Sequence, residues 1–167
     1  MLAGGHMKAI VVVDKNWGIG RNKKLLIHLP GDLKYFKEHT LGKTIVMGRE
    51  TLDSLPGGRP LQYRENIVLT RNQCYGADCT ICHSSEDLLN IVKNDDKKEV
   101  FIIGGETVYK EFLPYCDTCY VTKIDNDFDA DKFFPNLDED ENFSVVSESG
   151  IIEEDGTRYR FVEYRRN

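Results

Sequence analysis

Four short runs in this chain are apolar at nearly every position: "KAIVVVD" from Lys8, "KTIVMG" from Lys43, "ENIVLT" from Glu65 and "EVFIIG" from Glu99. A strand with one wet face alternates apolar and polar residues. These runs do not alternate, so both faces of each are expected to be covered, as in a parallel sheet. Helical patterns lie between or beside them: residues 29–40, a short segment after Arg49, "SSEDLLNIVKN", and "GETVYKEFL" from Gly105. Ser84, three residues ahead of Asp87, reads as a helix start. Strands alternating with helices imply βαβ units and an α/β fold, a mainly parallel twisted sheet with helices on both faces. The end of the chain reads differently. "DTCYVTKI", "NFSVVSES" and "TRYRFVEYRR" are strand-like with no helix between them, and Asp155-Gly156 is a strong hairpin turn. An antiparallel C-terminal edge is therefore expected. Residues 125–142, "DNDFDADKFFPNLDEDEN", read as an acidic, solvated surface loop.

A chain of 167 residues suits one domain with one core. A net charge of -6 argues against a nucleic-acid binder, which carries a basic surplus, but permits a local basic pocket for an anion. No apolar run reaches membrane-spanning length, and no secretory signal is visible. Residues 1–6, ahead of Met7, read as a cloning remnant, which leaves 7–167 as the single domain. Five cysteines, an odd number without a small-scaffold framework, fit reduced thiols in a cytoplasm. Two C-x-x-C pairs, Cys79 with Cys82 and Cys116 with Cys119, fall in strand-like runs without a glycine turn. Positions i and i+3 of a strand face opposite sides, so no metal site is expected.

Three of the strand runs end in residues suited to phosphate. "VMGRET" passes from strand through Gly48 to a short helix with Arg49 beside it, and "IIGGET" repeats the plan at Gly104-Gly105. "VLTRN" ends on Thr70 and Arg71, a hydroxyl and a cation. Ligands of parallel sheets sit at strand carboxyl ends. None of the three has the G-x-G-x-x-G spacing of the dinucleotide fingerprint, so a phosphate-rich cofactor on a different α/β plan is expected. A further glycine loop, "NWGIGRNKK", follows the first strand and is a candidate mobile lid.

Asp32 is the anomaly. Leu29, Leu33 and Phe36 have the spacing of one buried helical stripe, and Asp32 falls on that face. A lone carboxylate there is costly unless it is paired. Helix-end chemistry is the plain explanation, because Pro30 marks a helix start and an Asp in the first turn suits the free N–H groups and the dipole. A ligand partner is the other.

In order along the chain, "GIGRN", "LPGDLKYFK", "IVMGRET", "GGRPL", "ENIVLTRN", "FIIGGETVYKEFLP", "YVTKID" and "DKFFP" resemble the dihydrofolate reductase family, from Lys8 onward. The resemblance implies reduction of 7,8-dihydrofolate to 5,6,7,8-tetrahydrofolate with NADPH, in support of one-carbon and thymidylate metabolism. A hydride would pass from nicotinamide C4 to pterin C6, with a proton added at N5. It also implies a cytoplasmic monomer open to antifolate inhibitors, without nucleic-acid or membrane partners. Asp32 matches the family's active-site carboxylate, which accepts two hydrogen bonds from the pterin ring N–H and amino group. That acid is too far from N5 to protonate it directly, and water is thought to deliver the proton. Thr122 matches a hydroxyl bonded to the acid and completes the catalytic pair.

Other positions carry over one by one. Ile10 and Ile103 match residues whose carbonyls face the pterin amino group, and Val11, beside Ile10, is expected to bind the substrate with them. Leu25, Ile27, Phe36, Leu55 and Leu61 match the apolar surroundings of the pterin and aminobenzoyl rings, although periodicity alone reads several of them as plain core. Arg64 matches the clamp on the glutamate-tail α-carboxylate; Arg59 reads as structural. Val12, Ile19 and Gly20 match the nicotinamide side. Gly48, Arg49, Thr51, Leu69, Gly104, Gly105, Glu106, Thr107 and Val108 match cofactor contacts, with the Gly104–Gly105 peptide expected cis. Tyr109 matches a tyrosine near the nicotinamide, or packs under the sheet. Arg49, Thr70 and Arg71 match the surroundings of the adenosine 2′-phosphate, which favours NADP over NAD.

One departure stands out. The family usually reads Leu-Pro-Trp where this chain has Leu25-Leu26-Ile27. The indole that holds an ordered water near the pterin is replaced by an aliphatic side chain, which changes the water network near Asp32. Activity is expected to survive. The pyrimidine reductase of riboflavin synthesis and a non-catalytic NADP-binding module are the rival readings; Asp32 speaks against both, and Arg64 against the first.

Overall fold

The computed structural model describes residues 7–72, 79–95 and 97–167; the segment 1–6 read above as a remnant lies outside them, as does Cys74. The elements run β1 (Met7–Val13), β2 (Gly18–Arg21), β3 (Lys24–Leu25), α1 (Pro30–Thr40), β4 (Thr44–Gly48), α2 (Arg49–Ser54), β5 (Glu65–Leu69), β6 (Cys79–Cys82), α3 (Ser85–Asn94), β7 (Val100–Gly104), α4 (Glu106–Phe112), β8 (Cys116–Ile124), β9 (Lys132–Phe133), β10 (Phe143–Glu148), β11 (Ile152–Glu154) and β12 (Thr157–Arg166). The main sheet has the order β10-β12-β8-β1-β7-β4-β5-β6, with β11 paired to β12.

From β8 through β6 every neighbouring pair is parallel. β12 runs antiparallel to β8, and β10 and β11 run antiparallel to β12. The fold class read from the sequence is the one observed, with one refinement. The "DTCYVTKI" strand joins the parallel set, because α4 carries the chain back across the sheet between β7 and β8. The antiparallel edge begins only at β12. Glu154 faces Thr157 across the hairpin, and Asp155 and Gly156 both take positive φ, as a two-residue turn requires. Ser84 caps α3 through a 3.1 Å bond accepted from the Asp87 N–H.

The continuous apolar runs divide by alternation into two packed layers. Met7, Ala9, Val11, Val13, Val46, Val100 and Ile102 pack with Leu88 and Val92 of α3 and Val108, Tyr109 and Phe112 of α4. Ile10, Ile45, Met47 and Phe101 pack with Leu52 of α2 and with Tyr35 and Phe36 of α1. The stripe predicted on α1 is displaced, however. Leu29 is buried, but Leu33 is 42% exposed, and the inward face centres on Asp32, Phe36 and His39. The direction depends on where the helix docks, which spacing alone does not specify.

The glycine loop after β1 and the acidic segment 125–142 also differ from expectation. β2, β3 and β9 form a small separate sheet in which β2 pairs with both β3 and β9. The acidic segment is therefore more than a solvated loop. Its Phe134 and Leu137 are buried, the Phe134 N–H donates to the Trp17 carbonyl at 2.8 Å, and the Asp131 N–H donates to the Gly20 carbonyl at 2.9 Å. Asp131 also accepts from the Asn22 N–H at 3.0 Å, and Asp129 pairs with Arg21 at 2.5 Å. Asp14 anchors the root of this ribbon. Buried to 1% exposure, its carboxylate accepts from the N–H groups of Asn16 (2.9 Å), Gly18 (2.8 Å) and Phe128 (3.1 Å). Asp14→Ala leaves these donors without their acceptor. At about 1–3 kcal/mol for a stranded buried group, we expect a loss of roughly 3 kcal/mol in urea unfolding. A loss below about 1 kcal/mol would show that Asp14 does not anchor the ribbon.

Candidate active site

Because β1, β4, β5, β7 and β8 are parallel, their carboxyl ends share one edge of the sheet. Gly48 faces Leu69 across β4 and β5, and Met47 faces Gly104 across β4 and β7. The turns at Gly104-Gly105, at Gly48-Arg49 and at Leu69-Thr70-Arg71 therefore stand side by side, about one strand spacing apart. The Gly104–Gly105 peptide is cis. A Cβ on Gly104 would lie 2.9 Å from the Thr51 hydroxyl, and one on Gly48 would lie 3.3 Å from a Val108 methyl. Glycine thus leaves bare backbone where α2 and α4 begin, a surface open to a flat, phosphate-bearing ligand. Arg49 is half-buried and reaches Asp53 at 3.4 Å; Arg71 is exposed, and the Thr70 hydroxyl accepts from the Asn72 N–H at 3.1 Å. Thr107 is exposed, while Glu106 accepts from the Phe133 N–H at 2.6 Å and so ties α4 to β9.

Asp32 is the third residue of α1, half-buried, and its partner is not the helix's own backbone. The Thr122 hydroxyl of β8 donates to Asp32 Oδ1 at 2.6 Å, a short bond of the kind an ionised acceptor makes. Val12 sits opposite Thr122 in the β1–β8 ladder, so the acid lies over the carboxyl end of β1. Its pKa is pushed up to about 6, chiefly by burial; the Thr122 bond opposes that rise and the Glu154 carboxylate adds to it. Helix capping therefore does not account for Asp32.

Ile10, Phe36, Leu55, Leu61 and Ile103 pack in one cluster on the α1 side of the sheet. Arg64 stands with its guanidinium carbon 5.9 Å from the centre of the Phe36 ring. Its Nε is buried without a hydrogen-bond partner among the described residues, and burial holds its pKa below the ordinary arginine value. Val11 faces the opposite layer. Ile27 packs beside Val12 with Leu29, Ile124 and Tyr159, beneath the start of α1. Leu25 is not brought to this group: it is 68% exposed on β3. Tyr109 is buried, and its hydroxyl donates to the Ile10 carbonyl at 2.7 Å, which joins α4 to β1. Ile19 packs against the main core from β2, and Gly20 pairs with Leu25. An open depression of about 570 Å³, lined by Lys43, Tyr63, Arg64 and Lys98 among others, lies at the amino ends of β4 and β5, away from the glycine turns.

The two cysteine pairs lie on β6 and β8, with β5, β4, β7 and β1 between them, too far apart to share a metal ion. The sequence reading missed Asp14, Asp131 and Glu154. Asp14 had a local signal, an acid just past a strand end and directly before a turn. The other two act on partners more than 100 residues away.

A parallel sheet that collects a paired acid, an apolar layer and glycine turns along its carboxyl edge defines a nucleotide-dependent α/β enzyme. A family model described as dihydrofolate reductase matches residues 6–166. The dihydrofolate reductase of Bacillus subtilis is 40% identical over 161 residues, covering 94% of this chain and 92% of that protein. The dihydrofolate reductase of Staphylococcus haemolyticus is 41% identical over 146 residues, covering 87% and 86%. The structure of the Enterococcus faecalis dihydrofolate reductase, complexed with NADP(H) and RAB-propyl, superimposes with a TM-score of 0.84 at 39% identity, covering 98% of this chain and 97% of that one. The chain belongs to the dihydrofolate reductase family.

The raised pKa of Asp32 has a consequence for stability. The folded chain holds this proton more tightly than the unfolded chain, whose carboxyl titrates near 3.8. Between that value and about 6 the folded state carries the extra proton, so stability falls as pH rises through the window. Asp32→Asn, which needs no proton, should be more stable than the parent at pH 7, by up to about 3 kcal/mol. The gap should close as pH drops below the unfolded value. Urea unfolding across this range measures it; a variant no more stable than the parent at neutral pH contradicts the assignment.

Proposed function

We propose that Asp32, held by Thr122, carries the proton chemistry of this family member's reaction, the NADPH-dependent reduction of 7,8-dihydrofolate to tetrahydrofolate. The 2.6 Å bond from Thr122 is the observation that carries the reading. It orients the carboxylate from β8 through Oδ1, and among the described residues none hydrogen-bonds Oδ2 in competition with a planar N–H pair. Two hydrogen bonds from the pterin ring N–H and amino group would satisfy the acid and fix the ring. An acid with a pKa near neutrality favours the protonated or enol forms of the pterin, which raises the electrophilicity of C6. Phe36, Leu55, Leu61 and Ile103 would flank the rings. The unpartnered Nε of Arg64 suits the carboxylate of the substrate tail.

The bare backbone at Gly48, Gly104 and Gly105 fits NADPH, and Arg49, Thr70 and Arg71 would meet its 2′-phosphate, a preference for NADP over NAD. When bound, the cofactor supplies the hydride. Thr51, Leu69, Glu106, Thr107 and Val108 border that surface, and the β2–β3–β9 ribbon, with Ile19 and Gly20, would cover the nicotinamide side and limit water. Leu25 would reach the substrate only through movement of this ribbon. We further propose a monomer working in the cytoplasm. The free thiols of Cys82, Cys116 and Cys119 support a reducing compartment, and no helix among the described residues is long and apolar enough to cross a membrane.

Asp32→Asn tests the assignment. It keeps the shape but replaces an acceptor oxygen with a donor, so one pterin bond is lost along with the charge. General acid–base assistance is worth about 10²–10⁴-fold, and turnover near neutral pH should fall within that range. NADPH affinity, measured by fluorescence titration, should barely change, because the proposed cofactor contacts lie at the ends of β4, β5 and β7, on α2 and α4 and on the ribbon, and none lies on α1. Near-parental turnover would return Asp32 to a helix-end role.

A further inference from the structure

Helix α1 begins without a side-chain cap of its own: Leu29 precedes it and makes no capping bond. The cap comes from a distant part of the chain. Glu154, at the end of β11, accepts the Gly31 N–H at 3.1 Å through Oε1, and the Tyr159 hydroxyl donates to the same oxygen at 3.2 Å. The approach is close enough to require glycine. A Cβ on Gly31 would lie 3.2 Å from that oxygen and would run into the Tyr159 hydroxyl. Asp32 is the next residue along. Glu154 therefore brings a carboxylate to the first turn of the helix that presents the acid, and it is half-buried while its neighbours Glu153 and Asp155 are exposed.

We propose that Glu154 is a positioning residue for the reaction: by accepting the Gly31 N–H it fixes the first turn of α1, which presents Asp32, and it places a second negative charge at the residue next to that acid. The proposal rests on the reading of Asp32 as the active-site acid. The other groups facing Asp32 do not supply that charge. Thr122, from β8, donates a hydrogen bond and favours the ionised form. Tyr35 of α1, Tyr109 of α4 and Tyr159 of β12 are tyrosines whose pKa values burial pushes up, Tyr35 to about 12, so they are neutral across the working range. Among the described residues Glu154 is the charged group that acts on Asp32, and like charge disfavours a second ionisation. Its position also suits the helix, since a carboxylate at an N-terminus is favourable against the dipole. The same side chain thus holds the helix and biases the acid.

Two variants separate these roles. Glu154→Gln keeps an oxygen for the Gly31 N–H and removes the charge; Glu154→Ala removes both. The direct readout is the carboxyl ¹³C titration of Asp32 in the whole protein, assigned by the signal that Asp32→Asn deletes. Glu154→Gln should lower its midpoint by about half a pH unit, as expected for a partly screened like charge, with thermal stability near the parent's. The pH profile of single-turnover reduction should move the same way. Glu154→Ala should lower the midpoint at least as far and also lower the melting temperature. A Glu154→Gln titration superimposed on the parent's overturns the proposal. Turnover of Asp32→Asn distinguishes the two claims: if it survives, the reading of Asp32 fails, while a shifted titration still shows that the Glu154 charge acts on its proton.

Discussion

The Thr122–Asp32 hydrogen bond joins two parts of the fold that the sequence keeps 90 residues apart, the first turn of α1 and the middle of the sheet. A half-buried carboxylate is unfavourable in an apolar layer, and this bond gives it a fixed orientation without removing its affinity for a proton. The other parts of the site are arranged around that constraint. Tyr109 fixes the Ile10 carbonyl on β1 from the opposite layer, and Phe36 comes one helical turn after Asp32 to meet Leu55, Leu61 and Ile103.

The parallel sheet makes this arrangement possible. Strands running the same way bring their ends to one edge, so three unrelated turns become neighbours without any fingerprint spacing between them. The ribbon of β2, β3 and β9 is held to the same edge by small polar contacts. Asp14 ties its root, Asp131 and Asp129 tie its tip, and Glu106 links β9 to the first turn of α4. The Asp14 root is buried and stays fixed, whereas the contacts of the tip and of β9 are exposed hydrogen bonds and an exposed ion pair, which open at low free-energy cost. A segment that must admit and cover ligands needs that property, whereas the sheet beneath it does not.

The parallel strands were legible because burial on both faces leaves a local mark, an uninterrupted apolar run. The glycine turns were legible for the same reason, since each directly follows such a run. What was not legible depends on pairing across long separations. Residues 125–142 looked solvated because their acids outnumber their apolar residues, yet Phe134 and Leu137 reach the core while Asp129 and Asp131 bind backbone and side chains of residues 20–22. Leu33 illustrates a second limit. Its spacing fits a buried stripe, but the docking angle of α1 turns the stripe so that Asp32 faces in and Leu33 faces out. Glu154 left no local signal at all, because its acceptor role depends on a glycine 123 residues away.

The most direct test of this account is a crystal structure of the protein with NADP⁺ and folate. Both Asp32 oxygens should lie within about 3 Å of the pterin ring N–H and amino group, with Thr122 still bound to Oδ1 and Arg64 on the tail carboxylate. A pterin ring seated elsewhere, with Asp32 keeping Thr122 as its sole partner, would contradict it.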